Sequence, residues 1–419
     1  MAKPAGFALR GWLMLTWAIQ PLLPWHLKKR LARGKEHPVR WREKLGHASA
    51  ERPAGRLVWL HAIGLGEVLA LRGLIARLAL IEPDLHFLVT SGTRASAEVF
   101  AQNLPPRTQH QFAPLDAPGP ARRFLAHWRP DLSIWAEQEL WPGLVYRTAR
   151  RGVPLALVNA RMNAAAFARR RKGAALYRDI LPRFTLVSAQ DTATAGHLRA
   201  LGAQQVRIDG SLKTIAPPLT DLPGPRTALA AQINGRPLWL AASTHPEDEA
   251  FVLAAHKLYL EQHPDALLIL APRLPDRAGD ILATIRASGL TPAQRSIHEA
   301  PTPETQVYLA DTFGEMGLFY RLARVAFVGG SMGAVEGHNP WEPVALGCAV
   351  LHGPHTANFA ADYAALKAAQ ATKTVETPDA LKQALTKSDT PEMAARALRL
   401  RQSHMDRLDT LCEKLVQLL

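Results

Sequence analysis

The chain has 419 residues, 47% hydrophobic and 21% charged, which is room for two domains with separate cores and excludes a disordered or fibrous polypeptide. Its two cysteines, Cys348 and Cys412, lie far apart, which excludes a disulfide framework or a CxxC metal site and fits a reducing compartment. The net charge of +14 and sequence pI of about 10.1 call for an anionic partner: nucleic acid, a phospholipid surface or a phosphorylated substrate.

Residues 11–25 are uncharged and rich in Trp, Leu and Ile, but Gln20, Pro21 and Pro24 interrupt them. The run is shorter than the roughly 20 residues of a spanning helix and no small-residue cleavage site follows, so neither a membrane span nor a secretory signal is expected. Trp12, Trp17 and Trp25 stand beside Lys28, Lys29, Arg30, Arg33 and Lys35, a pattern that suits residues 1–46 to a membrane interface. A buried first helix with a solvated basic face is the plainer reading of the same pattern. Positive charge gathered beside an apolar, Trp-bearing segment argues against nucleic-acid binding.

Apolar runs at 57–62, 85–90, 132–135, 155–158 and 184–188 alternate with helical spacing, as in a parallel sheet with crossover helices. Four prolines between 217 and 225 mark a linker over 214–226, after a domain spanning 47–213. The rhythm resumes at 237–242, 266–270, 305–309, 325–328 and 348–351, in a second domain over 227–396, and residues 397–419 read as a closing helix. Two α/β domains, each Rossmann-like, place ligands in a cleft at the C-terminal ends of the strands.

Several strand ends carry reactive side chains. His61-Ala-Ile-Gly-Leu-Gly-Glu67 opens a helix but lacks the third glycine of a dinucleotide loop. Glu67 in the first helical turn would repel a phosphate, and is better placed to take a proton from a hydroxyl or simply to cap the helix. Glu137 and Glu139 follow the 132–135 run and can hold acceptor hydroxyls or cap the next helix; Arg161 ends the next run, ahead of the basic cluster Arg169 to Lys172. In the second half, Gly329, Gly330 and Ser331 follow an apolar run and precede His338, Asn339 and Glu342. Glycines let backbone N–H groups approach a phosphate and a nearby carboxylate can hold sugar hydroxyls, the build of a nucleotide-sugar site. Lys213 stands at the hinge; Ser243-Thr-His-Pro246, Arg273 and Asp311-Thr-Phe-Gly-Glu315 end further runs. Histidines are scattered, so no metal site is expected.

Taken in order, His61-Ala-x-x-x-Gly-Glu67, Glu137-x-Glu-Leu-Trp-Pro142, Asn159-Ala-Arg161, Ser243-Thr-His-Pro246, Asp311-Thr-x-Gly-Glu315, Gly337-His-Asn-Pro-x-Glu-Pro343 and Gly353-Pro-His-x-x-Asn-Phe359 resemble the 3-deoxy-D-manno-octulosonic acid (Kdo) transferases. The resemblance implies a GT-B fold and an inverting, metal-free transfer of Kdo from CMP-Kdo, with no cofactor, to a lipid A precursor (lipid IVA) of lipopolysaccharide. It implies an enzyme on the cytoplasmic face of the bacterial inner membrane, against an anionic lipid surface. By it Glu67 is the general base, Glu137, Glu139 and Arg161 face the acceptor, Lys213, Ser243 and Arg273 face the donor, and Gly329, Gly330, Ser331, His338, Asn339 and Glu342 hold the CMP-sugar. Departures stand at Gly64, Asn163 to Ala166, Ser211, Leu274 and Glu336. A GT-B transferase using a UDP-sugar, or a non-catalytic membrane-surface protein on the same fold, remains as an alternative.

Overall fold

The run Leu57–His61 is buried along its whole length, as a strand covered on both faces must be. Its side chains alternate: Leu57 and Trp59 enter one apolar cluster with Phe124, Trp128 and Trp135, while Val58 and Leu60 enter another with Leu74, Leu78 and Phe87. The computed structural model describes residues 3–102, 104–137, 140–387 and 389–419. It divides into two units, Met1–Ala216 with His404–Leu419, and Pro217–Ser403. The division falls within the stretch read as a linker, part of which is helical, since a helix begins at Pro223.

The first unit carries β1 (Leu57–His61), β2 (His86–Ser91), β3 (Thr108–Phe112), β4 (Leu132–Ala136), β5 (Leu155–Ala160), β6 (Leu186–Ala189) and β7 (Val206–Ile208). They form one parallel sheet in the order β3-β2-β1-β4-β5-β6-β7, so the winding reverses between β1 and β4. The second unit carries β8 (Leu238–Thr244), β9 (Leu267–Pro272), β10 (Pro292–Gln294), β11 (Val307–Leu309), β12 (Val325–Val328), β13 (Ala349–His352) and β14 (Thr372–Thr374). Their order, β10-β11-β9-β8-β12-β13-β14, reverses between β8 and β12. Such reversals splay the flanking loops apart and are where open α/β sheets take their ligands.

The helix Phe7–Ile19 docks on the first unit through one face. Leu9 is fully buried, Leu9 N donates to Asp179 Oδ2 (3.1 Å), and Trp12 Nε1 donates to Asp116 Oδ2 (2.8 Å). Its other face leaves Phe7, Met14, Leu15 and Trp17 exposed, and Leu22 and Trp25 extend that apolar row. No helix among the described residues is long and apolar enough to cross a membrane.

The helix Thr390–Val416 ends in the first unit, where Leu408, Leu411 and Leu415 complete the cluster behind β1 and Arg77 forms a two-pronged ion pair with Asp409. Cys348 and Cys412 are free and buried, and burial pushes both thiols up to about 12, so both are inert packing groups.

Candidate active site

At the reversal in the first unit, β1 runs into Gly64, whose extended backbone caps the helix Leu65–Ile81. Glu67, the third residue of that helix, folds back so that its Oε2 accepts from Ile63 N and Gly64 N, both at 3.1 Å. One carboxylate oxygen is thereby pinned and the other remains for a further partner. Glu137, just beyond β4, has its carboxyl hydrogen-bonded to that of Glu67. Two carboxyl groups can bond in this way only by holding a proton between them.

Burial, reinforced by the negative charge of Glu67, pushes the Glu137 carboxyl up to about 7, while Lys213 and Arg161 pull it down. Thus Lys213, which the sequence assigned to the donor, faces this carboxyl pair. Glu137 adopts a left-handed backbone (φ 62°), as does Asn159 (φ 56°), each costing roughly 1 kcal/mol for a residue with a Cβ. Asn159 offsets its cost through buried bonds: its Oδ1 accepts from Leu212 N and Gln190 Nε2, both at 2.9 Å. Its Nδ2 lies 3.5 Å from Glu137 Oε1. The segment before Lys213 is therefore tied through Asn159 to the loop of Glu137.

His61, fully buried at the end of β1, stacks edge-on against Trp135 and Trp141 with centroids 4.7 and 5.7 Å away. Its Nδ1 meets Thr90 Oγ1 at 2.9 Å, its Nε2 has no partner among the described residues, and burial pushes its pKa down to about 3, so the ring is neutral. Trp141-Pro142 starts the next helix, Pro142 at a position that lacks a hydrogen-bond acceptor anyway. Glu139 lies outside the described residues.

In the second unit, β8 bulges at Ser243, which takes a left-handed backbone (φ 54°), and His245 then caps the helix Pro246–Leu260. His245 Nε2 sits 3.0 Å from His338 Nε2, with the rings nearly parallel. Burial first, then the charges of His245 and Arg273, lower His338 to about 4, so its ring is neutral. Glu342 is held by Asn339 Nδ2 (3.4 Å); burial raises its pKa, opposed by Asn339 and by the positive charge of Arg273. Arg273 itself is exposed just beyond β9. The reversal point thus brings together Ser243, Arg273, His338, Asn339 and Glu342.

The glycine segment departs from the sequence reading. Gly330 N and Ser331 N, expected at a donor phosphate, donate instead to the fully buried carboxylate of Asp248, as does Met332 N. The Ser331 hydroxyl is spent as well, donating to Val328 O (2.7 Å) and accepting from Gly353 N (2.8 Å). Gly329 is required for a different reason: a Cβ there would stand 2.7 Å from Ser243 O, so it permits the close approach of the ends of β8 and β12. Glu336, an unexpected carboxylate beside an anion site, faces the following loop, accepting from Ala357 N at 3.2 Å.

Asp248, His245, Asn159 and Gln190 were not among the expected site residues. Asn159 and His245 stood in the motifs Asn159-Ala-Arg161 and Ser243-Thr-His-Pro246, and Asp248 had a local signal, an acid three residues after a helix cap. Among the described residues no group of three or more His, Cys, Asp or Glu side chains could hold a metal ion.

Residues 39–216 match the family described as 3-deoxy-D-manno-octulosonic-acid transferase (kdotransferase). A protein of Arabidopsis thaliana described as a probable mitochondrial 3-deoxy-D-manno-octulosonic acid transferase is 36% identical over 362 residues, covering 84% of this chain and 81% of its own length. The 3-deoxy-D-manno-octulosonic acid transferase of Bordetella pertussis is 36% identical over 365 residues, covering 84% of this chain and 83% of its own. The chain belongs to the Kdo transferase family. It is therefore a glycosyltransferase, and its two doubly wound units are those of the GT-B fold. Among solved structures, the UDP-GlcNAc 2-epimerase of Neisseria meningitidis is similar in fold, with a TM-score of 0.58 at 12% identity over 87% of this chain and 100% of that one.

Proposed function

We propose that this Kdo transferase moves Kdo from CMP-Kdo to a hydroxyl of a lipid A precursor, in lipopolysaccharide assembly at the cytoplasmic face of the inner membrane. The observation that carries the chemistry is the Glu67–Glu137 pair. Glu67 has one oxygen fixed by two backbone N–H groups and Glu137 supplies the shared proton. Glu67 takes the proton of the acceptor hydroxyl as that oxygen attacks the anomeric carbon of Kdo; the bond to the CMP phosphate breaks and CMP leaves. A positioned base of this kind contributes about 10²–10⁴-fold. Lys213 and Arg161 oppose the rise in the Glu137 pKa.

Arg273 meets the single phosphate of CMP, and no metal is needed to neutralise it. Glu342 and Asn339, one raised in pKa and the other bonded to it, receive sugar or ribose hydroxyls.

A lipid-borne acceptor is supported by the exposed row Phe7, Met14, Leu15, Trp17, Leu22 and Trp25, with Lys29 placed over the Trp25 ring at 5.3 Å. A cavity of about 370 Å³ beneath this helix is walled by Trp12, Leu140, Trp141, Leu176 and Tyr177. Leu140 and Tyr177 also border the small pocket of Glu137 and Arg161, so the two recesses share a wall.

The test is incubation of the purified protein with CMP-Kdo and a tetraacyl lipid A precursor, with UDP-sugars in parallel and with chelator present. CMP release and a lipid gaining Kdo mass, both lost in Glu67→Ala, are expected. Turnover with UDP-sugars alone sinks the reading, and dependence on added divalent metal sinks its metal-free part. Flotation with anionic vesicles, weakened when Trp17 and Trp25 are replaced by Ser, tests the membrane contact.

A further inference from the structure

The four backbone N–H groups that converge on Asp248 form a concave site of the kind that binds phosphate. His245 N (2.9 Å) and Gly330 N (2.6 Å) donate to Oδ2; Ser331 N (3.2 Å) and Met332 N (3.0 Å) donate to Oδ1. The left-handed backbone of Gly330 (φ 68°) turns successive amides the same way, which makes a nest. Asp248 is fully buried, so no ligand oxygen reaches these amides while the carboxylate stays.

The consequence reaches beyond capping. The loop that Asp248 grips leads directly to His338, Asn339 and Glu342, and the residue whose amide it also holds is His245, the partner of His338. A Cβ at Gly330 would lie 2.9 Å from His338 Cδ2, so the loop and that ring are closely packed. A single anion therefore fixes the ends of β8 and β12 at the reversal point and, through them, the histidine pair.

We propose that Asp248 is a positioning residue: a built-in anion that occupies the Gly330–Met332 nest, holds His245 and His338 in register for the donor, and leaves the donor phosphate to Arg273. In its use of CMP-Kdo this rests on the function proposed above; the occupied nest does not.

Full-length wild type, Asp248→Ala and Asp248→Asn are compared by thermal unfolding and by steady-state kinetics, with formate or neutral formamide added. Removing the carboxylate opens a pocket that only a small anion fills. Formate is expected to raise the melting temperature of Asp248→Ala saturably, and to leave wild type and Asp248→Asn unchanged, because their nests are full. In kinetics, Asp248→Ala should raise the KM for CMP-Kdo about tenfold with kcat within about threefold, and formate should restore KM while formamide does not.

A wild-type KM in Asp248→Ala overturns the positioning role. Formamide acting as well as formate, formate without effect, or formate stabilising wild type equally overturns the filled nest. If Asp248→Ala does not fold, recovery of folded protein by refolding in formate but not formamide supports the same conclusion, and failure in both overturns it. If wild type shows no turnover with CMP-Kdo, the unfolding measurements still decide the nest, so the two failures are separable.

Discussion

Glu67 and Asp248 occupy the same place in the two halves of the molecule. Each is the third residue of the helix that follows the first strand of its sheet, each stands at the reversal of strand order, and each accepts a hydrogen bond from its helix-cap amide. Asp248 spends both oxygens on four N–H groups and is fully buried. Glu67 spends one oxygen on two and shares a proton with a second carboxyl. An acid at this position is structural when the neighbouring loop saturates it with N–H donors, and chemical when the neighbouring strand end supplies another acid. The glycine loop beyond β12 donates; the Glu137 loop beyond β4 competes.

The comparison breaks most visibly at Glu67. Replacing it with Ala should lower turnover by about 10³-fold while costing only about 1 kcal/mol, the value of a lost helix cap. CMP release and thermal unfolding on the same preparation measure both. A folded Glu67→Ala that retains a tenth of wild-type turnover removes Glu67 as the base. Asp248→Ala should show the opposite balance. It strands buried N–H groups that had a charged acceptor, so a loss of about 3 kcal/mol in stability is expected in denaturant titrations, with the smaller kinetic change falling on donor KM. Equal stability losses at the two sites would erase the distinction.

Much of this arrangement was legible in the sequence. Apolar runs of strand length located the two parallel sheets, and Pro142 marked a helix start. What could not be read was which partner satisfies which group. The nest and its anion are 82 residues apart in the chain, so a Gly-Gly-Ser loop with free amides and one with occupied amides look alike in sequence. Asn159 is similar. Its three contacts join residues 22 to 53 positions away, and only the folded sheet shows that one amide ties Glu137, Gln190 and Leu212 together. The resemblance placed Lys213 with the donor; that its ammonium also lowers the Glu137 pKa is visible only in the folded chain.

Glu137 sharpens the chemical half of the comparison through pH. Its carboxyl is raised to about 7, so the pair keeps its shared proton below that pH and loses it as pH climbs through it. Above about 7 two adjacent carboxylates repel, and Glu67 no longer has a neighbour donating to it. Wild-type kcat/KM should therefore fall on the alkaline side of about 7. Glu137→Gln keeps an N–H donor toward Glu67 and cannot ionise, so about a tenfold lower kcat with that alkaline fall abolished is expected from rate measurements between pH 6 and 9. An unchanged alkaline limb assigns it to another group. The stability consequence has the same sign: a raised carboxyl favours the folded state below its unfolded value near 4.5, and this contribution is lost as pH rises toward about 7.

The smallest expected effect lies in the structural half, at Gly330. Its φ of 68° is one that a residue with a Cβ adopts at a cost of about 1 kcal/mol, and the added methyl would press on His338 Cδ2 and Val335 Cγ1, each 2.9 Å away. A histidine ring can yield by turning about its side-chain bonds, but His338 is tethered by its Nε2 contact with His245, and its own carbonyl accepts from the Tyr363 hydroxyl at 3.0 Å. Gly330→Ala should consequently separate the histidine pair while leaving the amides of Ser331 and Met332 on Asp248. The expected outcome is a KM for CMP-Kdo about threefold higher, kcat unchanged, and a stability loss of about 1–2 kcal/mol, less than that of Asp248→Ala. Donor saturation curves and denaturant titrations of the two variants side by side check the order. Should Gly330→Ala prove the more damaging, the bulk of the glycine's role lies in making room for His338, and the Asp248 anchor is the lesser constraint on the loop.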